Sequence, residues 1–179
     1  MRLLLAWFFL FGAFTVPAWA ETGTASPLHT RQELYASFFT LPCAKYKVPK
    51  SLALAIARQE SGIQPWALNI AGRSYRPKTK AEAVKIAQEA LEQGRSFDVG
   101  IMQINSYWIK KYNFPLEQLL EPANNIKVGV WILAHEIKRH GLNWTAVAYY
   151  HTPVHKNPQR GQHYAALVNG HLKKVLQKH

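Results

Sequence analysis

Leu52–Gly62 reads LALAIARQESG, an apolar helical run that ends on a carboxylate. Leu52, Ile56 and Glu60 recur at a spacing of four and so share one helical face. A carboxyl group on that face must be paired, solvated in a cleft or protonated. The plainest reading is a frayed helix end with Glu60 in water. Pro49 suits the opening of the helix, Gly62 its close, and Pro65 confirms the stop, which predicts a helix over about Lys50–Ser61. Its last turn is the negative end of the helix dipole. Burial there pushes the Glu60 pKa in the same upward direction. A carboxyl group that keeps its proton near neutrality suits general acid work, such as protonating the leaving oxygen of a glycosidic bond.

The neighbouring segments read mostly as helices. Thr30-Arg31-Gln32-Glu33 has capping-box spacing and predicts a first helix reaching Phe39 or beyond. Residues 64–78, with Gly72 and Pro77, are expected to form a loop. Thr79-Lys80-Ala81-Glu82 is a second capping box, opening a polar, alanine-rich helix that Gly94 ends. Phe97–Trp108, FDVGIMQINSYW, lacks clean alternation and is expected to turn at Gly100 into a helix. Pro115 opens a short helical turn. Asn124–His140 then carries Ile126, Val130, Leu133 and Ile137 on one face, and Gly141 closes it. Asn143 is placed to cap WTAVAYYH, and Gly161–Leu176 reads as a terminal helix. No strand pair, repeat or low-complexity tract stands out. The expected fold is a mainly α single domain.

The ends and the composition narrow the class. In a chain of 179 residues, Arg2 precedes the apolar run LLLAWFFLFGAFTV, then Pro17 and Ala18-Trp19-Ala20. Residues 1–20 thus read as a signal peptide, cleaved after Ala20, with an uncleaved anchor as the rival reading. Residues 21–179 form the expected mature domain, with no other long apolar run and so no stable membrane span after cleavage. The full chain carries a net charge of +12. That charge suits nucleic acid, anionic lipid or a carboxylate-rich cell wall. Export argues against nucleic acid. Cys43 is the only cysteine and, inside FFTLPCA, is expected to be buried and inert.

Few groups are left for a second acid or a metal. Glu33 and Glu82 belong to capping boxes, and Glu136 beside Lys138 and Arg139 reads as surface. Asp98, the only aspartate, is the one plausible mate for Glu60, although it is equally placed to cap the next helix. His151 and His155 are separated by Pro153, and His135 and His140 fall on different helical faces, so neither pair predicts a metal site. No cofactor is expected. Trp131 reads as core, whereas Trp66 and Trp108, beside the motifs, are candidates for stacking on sugars.

LALAIARQESG, FDVGIMQINSYW, NNIKVGVWILAHEIKRHG and TAVAYYHTP, in that order from about Cys43 to Tyr150, resemble the lytic transglycosylase domain of the soluble-transglycosylase and goose-type-lysozyme-like superfamily. The similarity is greatest to the small transglycosylases that accompany type IV secretion and conjugation systems. The resemblance implies a lysozyme-like α-helical fold, a periplasmic location and peptidoglycan glycan strands as substrate. It implies a single catalytic acid, Glu60. That acid protonates the leaving oxygen of the MurNAc-β-1,4-GlcNAc bond, the substrate acetamido group assists, and Glu60 then helps the C6 hydroxyl close a 1,6-anhydro ring. Substrate-assisted glycosidases need no second carboxylate.

The resemblance also assigns the cleft. Ser61 follows the acid, as a local support or substrate contact. Met102 and Gln103 match the family's G-L-M-Q block, with core packing as the alternative for Met102. Asn105 lies just beyond that block, and Tyr149 matches the tyrosine whose hydroxyl orients the acid. Two departures stand out. Tyr150, a candidate substrate contact by stacking on a sugar, takes the place of an asparagine that often contacts glycan in relatives reading A-Y-N-x-G. EPANNI lacks the cysteine that many relatives carry, so Cys43 has no customary partner. Alternatives of other kinds are a hydrolytic muramidase using Asp98, and a catalytically inactive peptidoglycan-binding module.

Overall fold

In the computed structural model, which describes residues 27–177, a helix that is apolar on all sides runs through the centre. This is α3, Lys50–Ser61, and Leu52 through Ala57 are all buried. Such a helix needs neighbours on every side. Its main partner is α9, Pro158–Leu176, with α2, Thr40–Tyr46, against another flank. Lys50 and Gly62 bound α3 as expected, and Gly62 takes the left-handed conformation that closes a helix without a Cβ penalty. Before α2 lies α1, Pro27–Ser37. Thr30 falls inside α1, so it is not the cap expected of it, and the helix stops short of Phe39. The expected signal peptide, residues 1–20, lies outside the described residues.

The expected loop at 64–78 is instead half of a small antiparallel sheet. Strands β1, Leu68–Ile70, and β2, Arg73–Tyr75, form a hairpin through Ala71 and Gly72, with φ of 50° and 87°. Two consecutive positive φ angles match the twist of a two-residue hairpin. Ala-Gly lacks the Asn-Gly signature of such a turn, and the strands are too short to show alternation. After α4, Lys80–Glu92, come β3, Phe97–Val99, and β4, Ile104–Asn105, giving the order β2-β1-β3-β4. FDVGIMQINSYW is therefore a hairpin first, and its helix, α5, begins only at Ser106 and runs to Tyr112. The register pairs Asn69 with Asp98, and Asp98 with Asn105. Period-two alternation turns Leu68, Ile70, Phe97, Val99 and Ile104 into the core. The polar trio shares the opposite face.

The capping signals fare better. Thr79 Oγ1 accepts the Glu82 backbone N–H at 3.2 Å at the start of α4. Asn143 Oδ1 accepts from Ala146 at the start of α8, Trp144–His151. Between them lie α6, Leu116–Leu119, and α7, which begins at Pro122 and runs to His140. Asp98 caps nothing. Asn105 caps α5, accepting from Tyr107 N at 2.9 Å, while Asp98 stays in the sheet.

Asn125, fully buried on α7, ties that helix to the β3–β4 turn. Its Oδ1 accepts from Met102 N at 2.8 Å, and its Nδ2 donates to Val99 O at 3.0 Å and Leu119 O at 3.3 Å. Gly100 makes room for the amide: a Cβ there would stand 2.2 Å from Asn125 Nδ2. One helical turn on, a Cβ at Gly129 would stand 2.4 Å from Met102 Cβ. Asn125→Leu leaves one buried donor and two acceptors without partners, at about 1–3 kcal/mol each when nothing replaces them. It is expected to lower the unfolding free energy by about 3 kcal/mol or more, read as a clear fall in the melting temperature. A change within experimental error would show that the tie is dispensable.

Candidate active site

The polar face of the sheet forms one wall of a cleft of roughly 1190 Å³ whose floor is Glu60. Asn69, Asp98 and Asn105 contribute that wall, while Trp108 and Lys111 of α5 extend it. Ile132, His135, Glu136 and Arg139 line the cleft from α7, and α8 and α9 close the other side. Glu60 sits in the last turn of α3 with its side chain only 10% exposed. Tyr164 of α9 donates its hydroxyl to Glu60 Oε1 at 2.5 Å. Burial is the largest influence on the acid; Tyr164 opposes it and Asp98 reinforces it, and the pKa is pushed up to about 8. At neutral pH the group therefore holds its proton. A frayed end in open water does not describe it.

The other expected site residues divide into those that reach the cleft and those that brace it. Gln103 and Asn105 line it. Gln103 takes a left-handed φ of 46° and donates Nε2 to Ala67 O at 3.0 Å and Gly100 O at 2.8 Å. Asn105 donates Nδ2 to Asp98 Oδ1 at 2.7 Å. Ser61 is buried, and its hydroxyl donates to Ile101 O at 2.8 Å. Met102 is fully buried against Gly129, so it is core and not substrate contact.

Neither tyrosine of α8 donates to Glu60. Tyr149 lines the cleft but stacks on His140, with ring centroids 4.1 Å apart, and the hydroxyl on Glu60 belongs to Tyr164. Tyr150 points inward and donates to Met102 O at 2.8 Å, fastening α8 to the β3–β4 turn. Consecutive residues on a helix point about 100° apart, so these adjacent tyrosines meet different surroundings. Burial first and Glu60 second hold the Tyr150 phenol well above its usual pKa, and burial leads the same effect at Tyr164, so both stay neutral.

Several residues of the site escaped the sequence reading. Tyr164 belongs to the buried stripe Gly161, Tyr164, Ala165, Val168 of α9. A polar tip in an apolar stripe is the signal that singled out Glu60, and it was readable here too. His151 stacks on Tyr164 at 4.4 Å, and its Nδ1 stands 3.9 Å from Glu60 Oε1. Glu136, expected at the surface, is buried at the cleft wall, with Arg139 and His140 each 3.5 Å from its Oε2. Trp108 lines the cleft, packed edge-on to Trp131 and stacked with Tyr112. Trp66 faces a separate, smaller pocket beside Ile63 and Pro65. Cys43 is free and buried, and burial pushes its thiol up to about 11, too high to form a reactive thiolate. Among the described residues, no group of three or more His, Cys, Asp or Glu is arranged to hold a metal ion, and no helix is long and apolar enough to cross a membrane.

Residues 39–167 match the family described as the transglycosylase SLT domain. Among curated proteins, the type IV secretion system protein virB1 of Brucella abortus is 36% identical over 93 residues, 51% of this chain and 39% of the relative. Protein virB1 of Agrobacterium fabrum is 33% identical over 97 residues, 53% of this chain and 39% of the relative. Invasion protein IagB of Salmonella typhi is 30% identical over 109 residues, 59% of this chain and 55% of its own length. The match thus spans only about two-fifths of either virB1 protein. No solved structure matches the chain significantly.

The raised pKa of Glu60 carries a stability cost with a definite sign. The folded state binds this proton more tightly than the unfolded chain, so stability falls as pH rises from about 4.5 to about 8. Glu60→Gln removes that slope. Relative to wild type, the variant is expected to melt at a similar temperature near pH 4. It should gain on the order of 5 kcal/mol by pH 9, at ~1.4 kcal/mol for each tenfold difference in proton affinity between the folded and unfolded chain. Melting curves across that range test it, and a constant difference would show that Glu60 titrates normally.

Proposed function

The chain belongs to the transglycosylase SLT domain family, and from that premise we propose that it is an exported lytic transglycosylase of peptidoglycan. The observation that carries the reading is one carboxyl group, Glu60, kept protonated to about pH 8 on the floor of a long polar cleft. A glycan strand lies along that cleft between the sheet wall and α7–α9. Glu60 gives its proton to the oxygen leaving between MurNAc and GlcNAc. The acetamido group of the MurNAc ring attacks its own anomeric carbon, so no protein nucleophile is consumed. The Glu60 carboxylate then takes the proton of the C6 hydroxyl as that oxygen closes the 1,6-anhydro ring. Water enters neither step.

Tyr164 holds the carboxyl through both halves of the cycle, since its hydroxyl stays neutral and donates to Oε1. Gln103 and Asn105 sit at the sheet wall, where polar groups fix sugar hydroxyls or acetamido groups. Asp98 lines the same cleft and its charge reaches Glu60. That observation favours hydrolysis with water activated by Asp98 as the second reading. An inactive binding module would have no use for a carboxyl group buried at this cost.

The net charge of +12 suits a polymer that bears peptide carboxylates. Residues 1–20 are proposed as a cleaved signal peptide, which delivers residues 21–179 to the periplasm. The name of the Brucella relative, a type IV secretion system protein, supports a role beside such an apparatus, and we extend the proposal to conjugation systems, where local cleavage opens the wall for the machine. Peptidoglycan and components of that apparatus are the proposed partners, without cofactor or nucleic acid.

Mass spectrometry of fragments released from purified peptidoglycan is expected to find 1,6-anhydro-MurNAc ends. The rate should fall above about pH 8 as Glu60 loses its proton. Glu60→Gln is expected to lower the rate by about 100-fold to 10,000-fold, the usual worth of a general acid. Asp98→Asn is expected to cost much less. Reducing MurNAc ends, with equal losses at Glu60 and Asp98, would establish hydrolysis instead. Glycan binding without release would leave the binding module.

A further inference from the structure

Three contacts converge on His151, to which the mechanism above gives no task. Its ring lies parallel to that of Tyr164, 4.4 Å away and tilted by 5°. Its Nδ1 stands 3.9 Å from Glu60 Oε1. On the other side of the ring, Arg160 Nε donates to His151 Nε2 at 3.4 Å. An arginine nitrogen has no acceptor capacity, so the imidazole Nε2 must supply the lone pair. A neutral ring then carries its hydrogen on Nδ1, the atom turned toward Glu60. Burial, and after it the charge of Arg160, both lower the His151 pKa and keep the ring neutral.

Glu60 Oε1 thus faces two donors, Tyr164 Oη and His151 Nδ1. Oε2 is left to carry the transferable proton. At 3.9 Å the imidazole is not yet hydrogen bonded, as is common for groups that tighten only during reaction. Loss of the proton turns Glu60 into an anion, and hydrogen bonds to an anion are shorter and stronger.

We propose that His151 is a positioning residue for the proton transfer. As a neutral imidazole in the tautomer set by Arg160, it donates Nδ1–H to the Glu60 carboxylate formed when the proton leaves Oε2. No bond to His151 is made or broken. The proton passes from Oε2 to the glycosidic oxygen, and Oε2 recovers one from the C6 hydroxyl. The inference rests on the acid–base role proposed for Glu60. The groups that share this part of the cleft are Asp98 from the sheet, Arg160, His163 and Tyr164 from α9, Tyr150 from α8, and His155 beyond it. Asp98 acts against ionised Glu60, while Arg160 favours the charge on Asp98.

NMR on the full mature chain tests the proposal in two parts. Imidazole ¹⁵N shifts of wild type near pH 7 are expected to report Nδ1–H with a bare Nε2; an Nε2–H tautomer overturns it. The ¹³C titration of the Glu60 carboxyl, identified by its absence in Glu60→Gln, supplies the second part. His151→Phe keeps a ring against Tyr164 and loses the N–H. It is expected to raise the Glu60 midpoint by about one pH unit, a tenfold change in the ionisation equilibrium. On peptidoglycan the same variant should lose about tenfold in kcat with KM within about twofold. His151→Asn restores an N–H donor and is expected to recover at least half of both changes. An unmoved midpoint in His151→Phe, or equal displacements in the Phe and Asn variants, would reduce His151 to a stacking residue and overturn the proposal. Should the Phe variant lack a thermal transition, the wild-type tautomer and the Asn variant decide between the same outcomes. Neither NMR readout needs turnover. A wild-type chain that releases no anhydro ends therefore counts against the proposed function and leaves this test intact.

Discussion

A single buried amide sets the shape of the cleft. Asn125 satisfies one donor and two acceptors, from the β3–β4 turn, β3 and α6. The arrangement works because two glycines stand aside. Gly100 leaves the volume that the amide fills, and Gly129 leaves the volume that Met102 fills. With the β3–β4 turn pinned to α7, the polar face of the sheet is held opposite the helices. The same turn is gripped from two further sides. Ser61 Oγ donates to Ile101 O from the end of α3, and Tyr150 Oη donates to Met102 O from α8. The segment that carries Gln103 is thereby fixed to the helix that carries Glu60.

The rigidity matters because the acid is held in an unfavourable place. Glu60 ends the most buried helix of the domain, at the negative pole of its dipole, with Asp98 on the facing wall. Each influence disfavours the charged form, and Tyr164 offsets only part of them. The surrounding apolar packing of α3 against α9 supplies the stability that this arrangement spends. A carboxylate merely solvated in the cleft would cost the fold less and would arrive at the substrate without its proton.

What could be read from sequence follows from the range of the interactions. Helices declare themselves over ten or more residues through apolar spacing and caps, so α3, α4, α7 and α9 were legible, as was the oddity of Glu60 on an apolar stripe. Strands of two or three residues carry no period, and Ala71-Gly72 is not a standard hairpin signature, so the sheet was not legible. Glu136 looked solvated because its sequence neighbours are basic, yet its face of α7 turns to the cleft. The contacts of Tyr164 and His151 with Glu60 join α3 to α9 and α8 across most of the chain. No local pattern encodes them. Tyr149 and Tyr150 show a finer limit, since adjacent tyrosines on one helix are chemically alike and only packing distinguishes them.

The hydrogen bond between Glu60 and Tyr164 spans 104 residues of sequence. Closing a loop of this length carries an entropic cost, which the packing of α3 against α9 offsets. Without α9 packed against α3, Glu60 would lose the Tyr164 hydroxyl and much of the burial that raises its pKa. The character of this one carboxyl group therefore depends on a contact between distant parts of the sequence. A chain cut before α9 keeps Glu60 and loses Tyr164, and with it the surroundings that set this acid apart.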